Sequence, residues 1–292
     1  MKSNSGLNIM LDRTYNDTPQ YTKPSQFKVG INQENTTISD TDLTTPIPIN
    51  GTELADNCES IANWSETTDG SDSLNSTDYK EGLGALNLIK SGTTVDNVIY
   101  YNNNNMTSLD FTNKDLWVWV FIKDSSTLNK LATTSALEIR YGNDYNTNYY
   151  YKVYNKSDLT IGWNAIHMNA NDMTEMGTVT LTSCDSGAIK LNFTDITDTL
   201  DAGDIIIDEW KLASQSSYLK DYDSVSIDEL SSEVQRICYL NSLEANGYLL
   251  SGIGDFNTDV TPKIDSVFKY TSISKSNTDE LKFYLKSNLT RR

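Results

Sequence analysis

The sequence is poor in the residues on which most catalytic and metal centres depend. It contains one histidine, His167, and three cysteines, Cys58, Cys184 and Cys238. A Ser-His-Asp triad would have to use His167, and no G-x-S-x-G elbow is present. Paired cysteines for zinc, a G-x-x-x-x-G-K-[ST] loop and a G-x-G-x-x-G motif are all missing. We therefore predict that the chain is not an enzyme, although its many carboxylates leave a glycan hydrolase open as an alternative.

Positive charge and long apolar runs are also scarce. The chain has 23 Lys and Arg against 40 Asp and Glu, a net charge of -17 at pH 7. Nucleic acids and anionic membranes are bound by Lys/Arg patches, so we expect no nucleic-acid partner. No run reaches transmembrane length, and we expect no membrane insertion. The first residues lack the apolar region of a secretory signal, so we do not expect export by that route.

The centre of the chain, residues 49–213, has the pattern of a mainly β domain. Short runs rich in β-branched and aromatic residues are separated by Gly, Asn, Asp and Ser clusters, which predicts strands joined by turns. So many short strands in one block indicate an antiparallel β-sandwich or jelly roll. The predicted strands are Ala85–Ile89, Val98–Tyr101, Leu116–Ile122, Ala136–Tyr141, Tyr149–Tyr154, Trp163–Met168, Thr178–Leu181, Ile189–Phe193 and Ile205–Leu212.

The two flanks, 1–48 and 214–292, have a different residue pattern from the centre. Prolines in the first flank predict an extended arm followed by short strands, Gln26–Ile31 and Leu43–Ile49. In the second, the capping box Ser226-Ile227-Asp228-Glu229 precedes Leu230, Val234, Ile237 and Cys238, which predicts a helix. Strands are expected at 248–253, 266–273 and 280–286. Neither flank has enough strands for a stable sheet, so we predict one anchoring module into which the sandwich is inserted.

Aromatic residues on two predicted strands are candidates for sugar binding. Leu116–Ile122 alternates, with Trp117 and Trp119 on the face opposite Leu116 and Val118. These tryptophans either form an open platform for sugar rings or belong to a covered face, and the pattern leaves both readings open. Arg140, Tyr150 and Tyr154 could line the same sheet, or could simply form a polar outer face.

Four segments in order resemble the non-catalytic carbohydrate-binding modules with a β-jelly-roll fold. They are Asp56-Asn57-Cys58-Glu59-Ser60-Ile61-Ala62-Asn63-Trp64, residues 79–88 (YKEGLGALNL), Gly162-Trp163-Asn164 and residues 203–212 (GDIIIDEWKL). The resemblance implies a structural Ca²⁺ held by Glu59 and Asp208, with backbone carbonyls near Gly82 completing the shell. The alternative is that either carboxylate is solvated or caps a turn.

The flanks resemble a small β module of tailed-phage tail and fibre proteins. The resemblance rests on Phe27-Lys28-Val29-Gly30, Ser39–Ile47 and Gly252–Asn257, with later strand residues. It implies a virion structural protein of a tail, fibre or particle surface, which presents the sandwich outward. Its expected partners are other virion proteins, further copies of the chain and a host-surface glycan, with neutral sugars favoured by the acidic charge. The alternative is a stand-alone carbohydrate-binding module protein.

Overall fold

A computed structural model describes residues 3–16, 18–33, 42–169, 172–228, 233–259 and 261–288. The elements of the first segment are α1 (Asn4–Tyr15), β1 (Pro24–Ile31) and β2 (Thr45–Pro46). Those of the centre are β3 (Glu53–Asp56), β4 (Trp64–Glu66), β5 (Gly70–Asn75), β6 (Ala85–Lys90), β7 (Asn97–Asn102), β8 (Asp115–Ile122), α2 (Ser125–Lys130), β9 (Leu137–Asp144), β10 (Asn148–Tyr154), β11 (Gly162–Met168), β12 (Thr174–Met176), β13 (Ser186–Asn192) and β14 (Leu200–Ala213). Those of the last segment are β15 (Lys220–Asp221), β16 (Ser224–Asp228), β17 (Glu233–Leu240), β18 (Leu249–Asn257), β19 (Ile264–Ser274) and β20 (Leu281–Asn288). Short 3-10 helices lie at Lys156–Asp158, Leu181–Ser183 and Gln215–Tyr218.

The chain divides into two compact units. One contains residues 52–214, and the other combines residues 1–51 with residues 215–292. The boundaries predicted from the sequence, 48/49 and 213/214, lie close to this division.

Two six-stranded antiparallel sheets form the central unit. In the first, which we call the tyrosine sheet, the strand order is β12-β10-β9-β13-β7-β4. In the second, the tryptophan sheet, the order is β11-β8-β14-β6-β5, and β3 also pairs with β14. The mainly β fold with antiparallel sheets that the sequence predicts is therefore confirmed.

One face of each sheet contributes to a common apolar core. Core residues on β8 alternate as predicted, and each is at most 2% exposed: Leu116, Val118, Val120 and Ile122. The opposite sheet supplies Ile139 and Ile189, also at most 1% exposed. Every second residue of these strands therefore points away from the core, and those outward faces are where a binding surface can form.

The second unit joins the two ends of the chain in one sheet. Strand β1 pairs antiparallel with both β15 and β18, and the order is β15-β1-β18-β19, with β2 paired to β1. A separate three-stranded sheet has the order β16-β17-β20. The first and last segments thus supply neighbouring strands, as an insertion requires.

The helix predicted after Ser226 is wrong. Residues 224–228 and 233–240 form a hairpin in which Val225 lies opposite Arg236, and residues 229–232 lie outside the described residues. Of the apolar positions that suggested a helix, Val234 and Cys238 also fit a period of two, which continues to Leu240, and Cys238 and Leu240 are both fully buried. Their pairing with β20, together with β-branched residues, outweighs the local capping signal.

The module's longer helix lies instead at the N-terminus, where an extended arm was expected. Ser3 caps α1 by accepting a hydrogen bond from the Gly6 amide at 2.9 Å, and its hydroxyl donates to the Ile264 carbonyl at 2.6 Å. A Cβ at Gly6 would lie 2.1 Å from the Asp265 carbonyl oxygen, so glycine permits close packing against β19. Within the described residues, no helix has the length and apolar character needed to cross a membrane.

One predicted strand is shorter than expected, and another is absent from the described residues. The segment Leu43–Ile49 is a strand only at Thr45–Pro46, and residues 39–41 of the phage-like motif lie outside the described residues. Residues 178–180 form no strand, and a 3-10 turn follows at Leu181–Ser183. In both segments proline or polar turn residues interrupt the run.

Candidate functional site

Trp117 and Trp119 lie on the face of the tryptophan sheet that points away from the sandwich core, and both are buried. They are 3% and 6% exposed. The Trp117 ring stacks on the His167 ring with centroids 4.5 Å apart, and the Lys80 ammonium lies 4.7 Å from the centre of the Trp119 ring. Sugar rings need an accessible aromatic face, so these residues do not form the open platform that one reading of the sequence expected.

Tyr150 and Tyr154 point toward the core of the sandwich. Both pack against its apolar cluster, and the Tyr150 ring lies 6.3 Å from the Phe111 ring. The Tyr154 hydroxyl donates a hydrogen bond to the His167 carbonyl. These contacts give the two tyrosines a structural role, and their alternate neighbours take the outward positions.

Arg140 is the one glycan-binding candidate that lies on the outward face of the tyrosine sheet. Its Nε donates to the Glu138 carboxylate at 2.6 Å, and Nη1 donates to the Tyr145 carbonyl at 3.0 Å. Its guanidinium carbon lies 4.6 Å from the centre of the Tyr149 ring. The five candidates are thus spread over two outward faces and the core, and the structure does not bring them together.

The structure assembles a different group around Arg140, which we call the tyrosine face: Tyr101, Arg140, Tyr145, Tyr149 and Tyr151. The register places Tyr101 opposite Ala188, Ala188 opposite Arg140, and Arg140 opposite Tyr151. This row crosses four adjacent strands and spans about 14 Å. Ala188 near its centre has a small side chain, and the larger side chains of Tyr101 and Arg140 lie on either side of it.

Turn residue Tyr145 extends the tyrosine face. Its ring stacks on Tyr101 with centroids 3.7 Å apart and an interplanar angle of 7°. Burial raises the pKa of both Tyr145 and Tyr149, so their phenols stay protonated at neutral pH and can donate hydrogen bonds. Arg140 and these rings are held by mutual contacts, which gives a rigid surface of aromatic rings and hydrogen-bond donors.

Sequence reasoning missed Tyr101 and Tyr145 as site residues. Tyr101 ends a predicted strand, but nothing in the sequence shows that it lies two strands away from Arg140. Tyr145 lies in the turn between β9 and β10, and only the folded turn brings it to Tyr101. Tyr149 and Tyr151 were visible in the run 149–154, but the sequence analysis selected the alternate residues, Tyr150 and Tyr154, which the structure turns toward the core.

Comparison with known proteins finds similarity to solved structures of β-sandwich domains. No protein-family model matches the sequence, and no curated protein does either. The chain is similar to carbohydrate-binding modules with a β-sandwich fold. One is the family 11 module from Clostridium thermocellum in complex with a β-1,3-1,4-mixed-linked tetrasaccharide, at 12% identity and a TM-score of 0.37, covering 56% of this chain and 96% of that chain.

Two further structures show the range of this similarity. The CBM22-2 xylan-binding domain of Paenibacillus barcinonensis Xyn10C has 9% identity and a TM-score of 0.29, covering 56% of this chain and 99% of that chain. The glycoside hydrolase domain of Endo-D from Streptococcus pneumoniae has 6% identity and a TM-score of 0.31, covering 76% of this chain and 36% of that chain. At these values the likeness concerns the fold.

The predicted calcium ligands, Glu59 and Asp208, hold one loop from two sides. Asp208 Oδ2 accepts hydrogen bonds from the Lys80 and Glu81 amides at 2.7 and 2.9 Å. Glu59 Oε1 accepts from the Leu83 amide at 2.6 Å. The loop therefore presents amide donors to the carboxylates, whereas a cation would need carbonyl oxygens.

Glu59 and Asp208 meet only some of the requirements of a Ca²⁺ site. In the part of the chain that the structure describes, no group of three His, Cys, Asp or Glu side chains is placed to hold a metal ion. Asp208 Oδ1, however, is buried and has no hydrogen-bond partner. This atom is the one to which a cation would be expected to bind, and calcium stays a prediction.

Proposed function

We propose that the central unit binds an extended neutral glycan on the tyrosine face and does not cleave it. The observation that carries this proposal is the clustering of three half-buried tyrosines, Tyr101, Tyr145 and Tyr151, on one outward sheet face. Arg140 and Tyr149, each 6% exposed, are buried beside them and brace the surface. Aromatic rings offer large, rigid contact area at low entropic cost, and the phenol groups of the half-buried tyrosines can donate to hydroxyl oxygens. The two half-buried ends of the row, Tyr101 and Tyr151, lie three strand spacings apart, about 14 Å, which is far enough for them to contact different sugar rings.

The electrostatics favour a neutral ligand and a binding role. A net charge of -17 repels acidic glycans. Glycoside hydrolysis needs two carboxyl groups about 5–10 Å apart on either side of the scissile bond. On the tyrosine face the carboxylate of Glu138 is ion-paired with Arg140 at 2.6 Å, an arrangement that positions the arginine.

The proposal is tested by substituting the half-buried Tyr151. Retention on neutral polysaccharides, including a mixed-linked β-1,3-1,4-glucan and xylan, would be measured by affinity electrophoresis. We expect Tyr151→Ala to weaken binding about tenfold, as for the loss of one aromatic anchor, without changing the melting temperature appreciably. The matched control is Tyr79→Ala, because Tyr79 is 39% exposed and lies outside the tyrosine face.

Two results would contradict the proposal. One is retention by no neutral polysaccharide, or retention that Tyr151→Ala leaves unchanged. The other is release of reducing ends from a retained polysaccharide, with loss of release on Glu138→Gln, which would show a hydrolase.

We also propose that the second unit anchors the chain in a virion by contacts with copies of itself and other virion proteins. Support comes from helix α1, whose exposed apolar residues Leu7, Met10 and Leu11 are 40%, 38% and 50% exposed. Their spacing places them on one helix face, which suits packing against a second copy. The localisation to a phage tail, fibre or particle surface rests on the sequence resemblance.

Light scattering on purified chain tests the self-association. We expect an oligomer that Leu11→Glu dissociates, whereas Leu243→Glu, at an isolated residue 84% exposed, leaves it intact. A monomeric wild type would contradict the oligomer. Mass spectrometry of purified phage particles tests the localisation, and absence of the chain from them would contradict it.

A further inference from the structure

A small polar pocket lies at one end of the central unit, formed by residues that are not part of the tyrosine face. Its volume is about 280 Å³. One wall comes from the end of β3 and the loop before β4, and the other from the loop after β7. The polar lining side chains are Asp56, Asn57, Ser60, Asn63, Asn105 and Thr107.

Asp56 is fixed in the wall of this pocket. Its Oδ1 accepts a hydrogen bond from the Cys58 amide at 2.7 Å, and its Oδ2 accepts one from Asn102 Nδ2, also at 2.7 Å. Each carboxylate oxygen has a further lone pair. The carboxylate is therefore oriented before a ligand arrives, which lowers the entropic cost of binding.

Asn102, which holds Asp56, is itself fully buried. It is 0% exposed, and its Oδ1 has no hydrogen-bond partner. A buried acceptor without a donor costs about 1–3 kcal/mol, and such groups in native proteins call for a polar partner. Asn102 does not line the pocket, so its part in the site is to hold the Asp56 carboxylate in place.

We propose that this pocket is a second saccharide site that holds a single neutral sugar residue. Its volume lies just below the usual range for ligand pockets, about 300–1,000 Å³, which fits one ring. The carboxylate of Asp56 can accept from two hydroxyls, and the amides of Asn63 and Asn105 can both donate and accept. Leu54, which is 44% exposed, adds apolar surface for a ring C–H face.

The inference goes beyond the proposed function, because it adds a site with its own residues. An anion is disfavoured by Asp56 at the pocket and by the acidic charge of the chain. A bare metal ion would fill little of the volume. A neutral polyhydroxylated ring matches both the charge and the mixture of donors and acceptors.

The test uses the full chain and methyl glycosides of glucose, galactose, mannose, xylose and N-acetylglucosamine. Amide chemical shifts would be followed by NMR up to about 50 mM sugar, since one-ring ligands bind in the millimolar range. We expect saturable shifts confined to residues 54–63 and 105–107 with at least one sugar. Asn63→Ala and Asn105→Ala should each weaken that affinity about fivefold.

Two control variants make the result decisive. Asn129→Ala, at an exposed asparagine in α2, should leave the affinity unchanged, because this residue does not line the pocket and is matched in type to the two pocket asparagines. Tyr151→Ala should also leave it unchanged, which separates this site from the tyrosine face. The proposal is overturned if no sugar shifts these amides, if both pocket variants bind normally, or if only CaCl₂ or methylammonium produces the shifts.

Discussion

Replacement of the two buried tryptophans tests which of the two outward sheet faces binds the glycan. Trp117 and Trp119 are 3% and 6% exposed, so truncation to alanine removes a large buried side chain and leaves a cavity. Such changes cost about 3–5 kcal/mol. For Trp117 the loss includes the stack on His167, worth about 0.5–1.5 kcal/mol in a well-formed pair.

The assay combines urea unfolding, followed by circular dichroism, with retention on a neutral polysaccharide. Native domains are stable by about 5–15 kcal/mol, so each alanine variant should stay folded in dilute buffer with a clearly lowered unfolding midpoint. We expect its retention to equal that of the wild type. The conservative Trp119→Phe should recover much of the stability.

The opposite pattern would refute this reasoning. If Trp119→Ala kept the wild-type unfolding midpoint but lost retention, the tryptophan would be accessible and in contact with the ligand. The tryptophan sheet, and not the tyrosine face, would then carry the binding surface.

Three further predictions concern charge, metal and architecture. Burial and the neighbouring charge of Glu66 raise the pKa of Asp72 to about 6, so this group's contribution to stability falls as pH rises from about 4 to 6. Asp72→Asn should therefore raise the free energy of unfolding in urea by about 1–2 kcal/mol at pH 7.5 and by much less at pH 4, and an equal change at both pH values would contradict this reasoning. Calcium at 100 times its dissociation constant should stabilise EDTA-treated protein by about 2.7 kcal/mol in the same assay, an effect that Asp208→Asn abolishes; no effect on the wild type would contradict a calcium site. Deleting residues 52–214 and joining the ends should leave a β-rich circular dichroism spectrum, and a disordered product would count against an inserted sandwich.

The sheets of the central unit could be predicted because their strands have two distinct faces. On β8, the apolar residues Leu116, Val118, Val120 and Ile122 repeat with a period of two, and burial of that face follows from the pattern. The second unit was harder to predict, because the local capping signal and the tertiary strand pairing favour different structures there. Ser226 begins a good capping box, yet it lies in a strand opposite Gln235. A capping box is worth about 1 kcal/mol, which a paired and partly buried hairpin exceeds.

The predicted calcium ligands show which features of a site a sequence resemblance can predict and which it cannot. Motif matching selected Glu59 and Asp208, and the structure places both against one loop, at the amides of residues 80–83. The matching did not reveal that those loop groups would be hydrogen-bond donors. Whether carboxylates hold a loop directly or through a cation depends on the orientation of a few peptide planes, which sequence does not encode locally.

The tyrosine face could not be predicted from the sequence, because a single register shift between β10 and β9 decides which tyrosines belong to it. Consecutive aromatic residues at 149–151 give both faces of β10 a tyrosine, so alternation alone cannot choose between them. The pairing of β10 with β9 shifts between Asn148 and Tyr149, and this irregularity directs Tyr149 and Tyr151 outward beside Arg140. A shift of one residue would have exchanged the two sets of tyrosines.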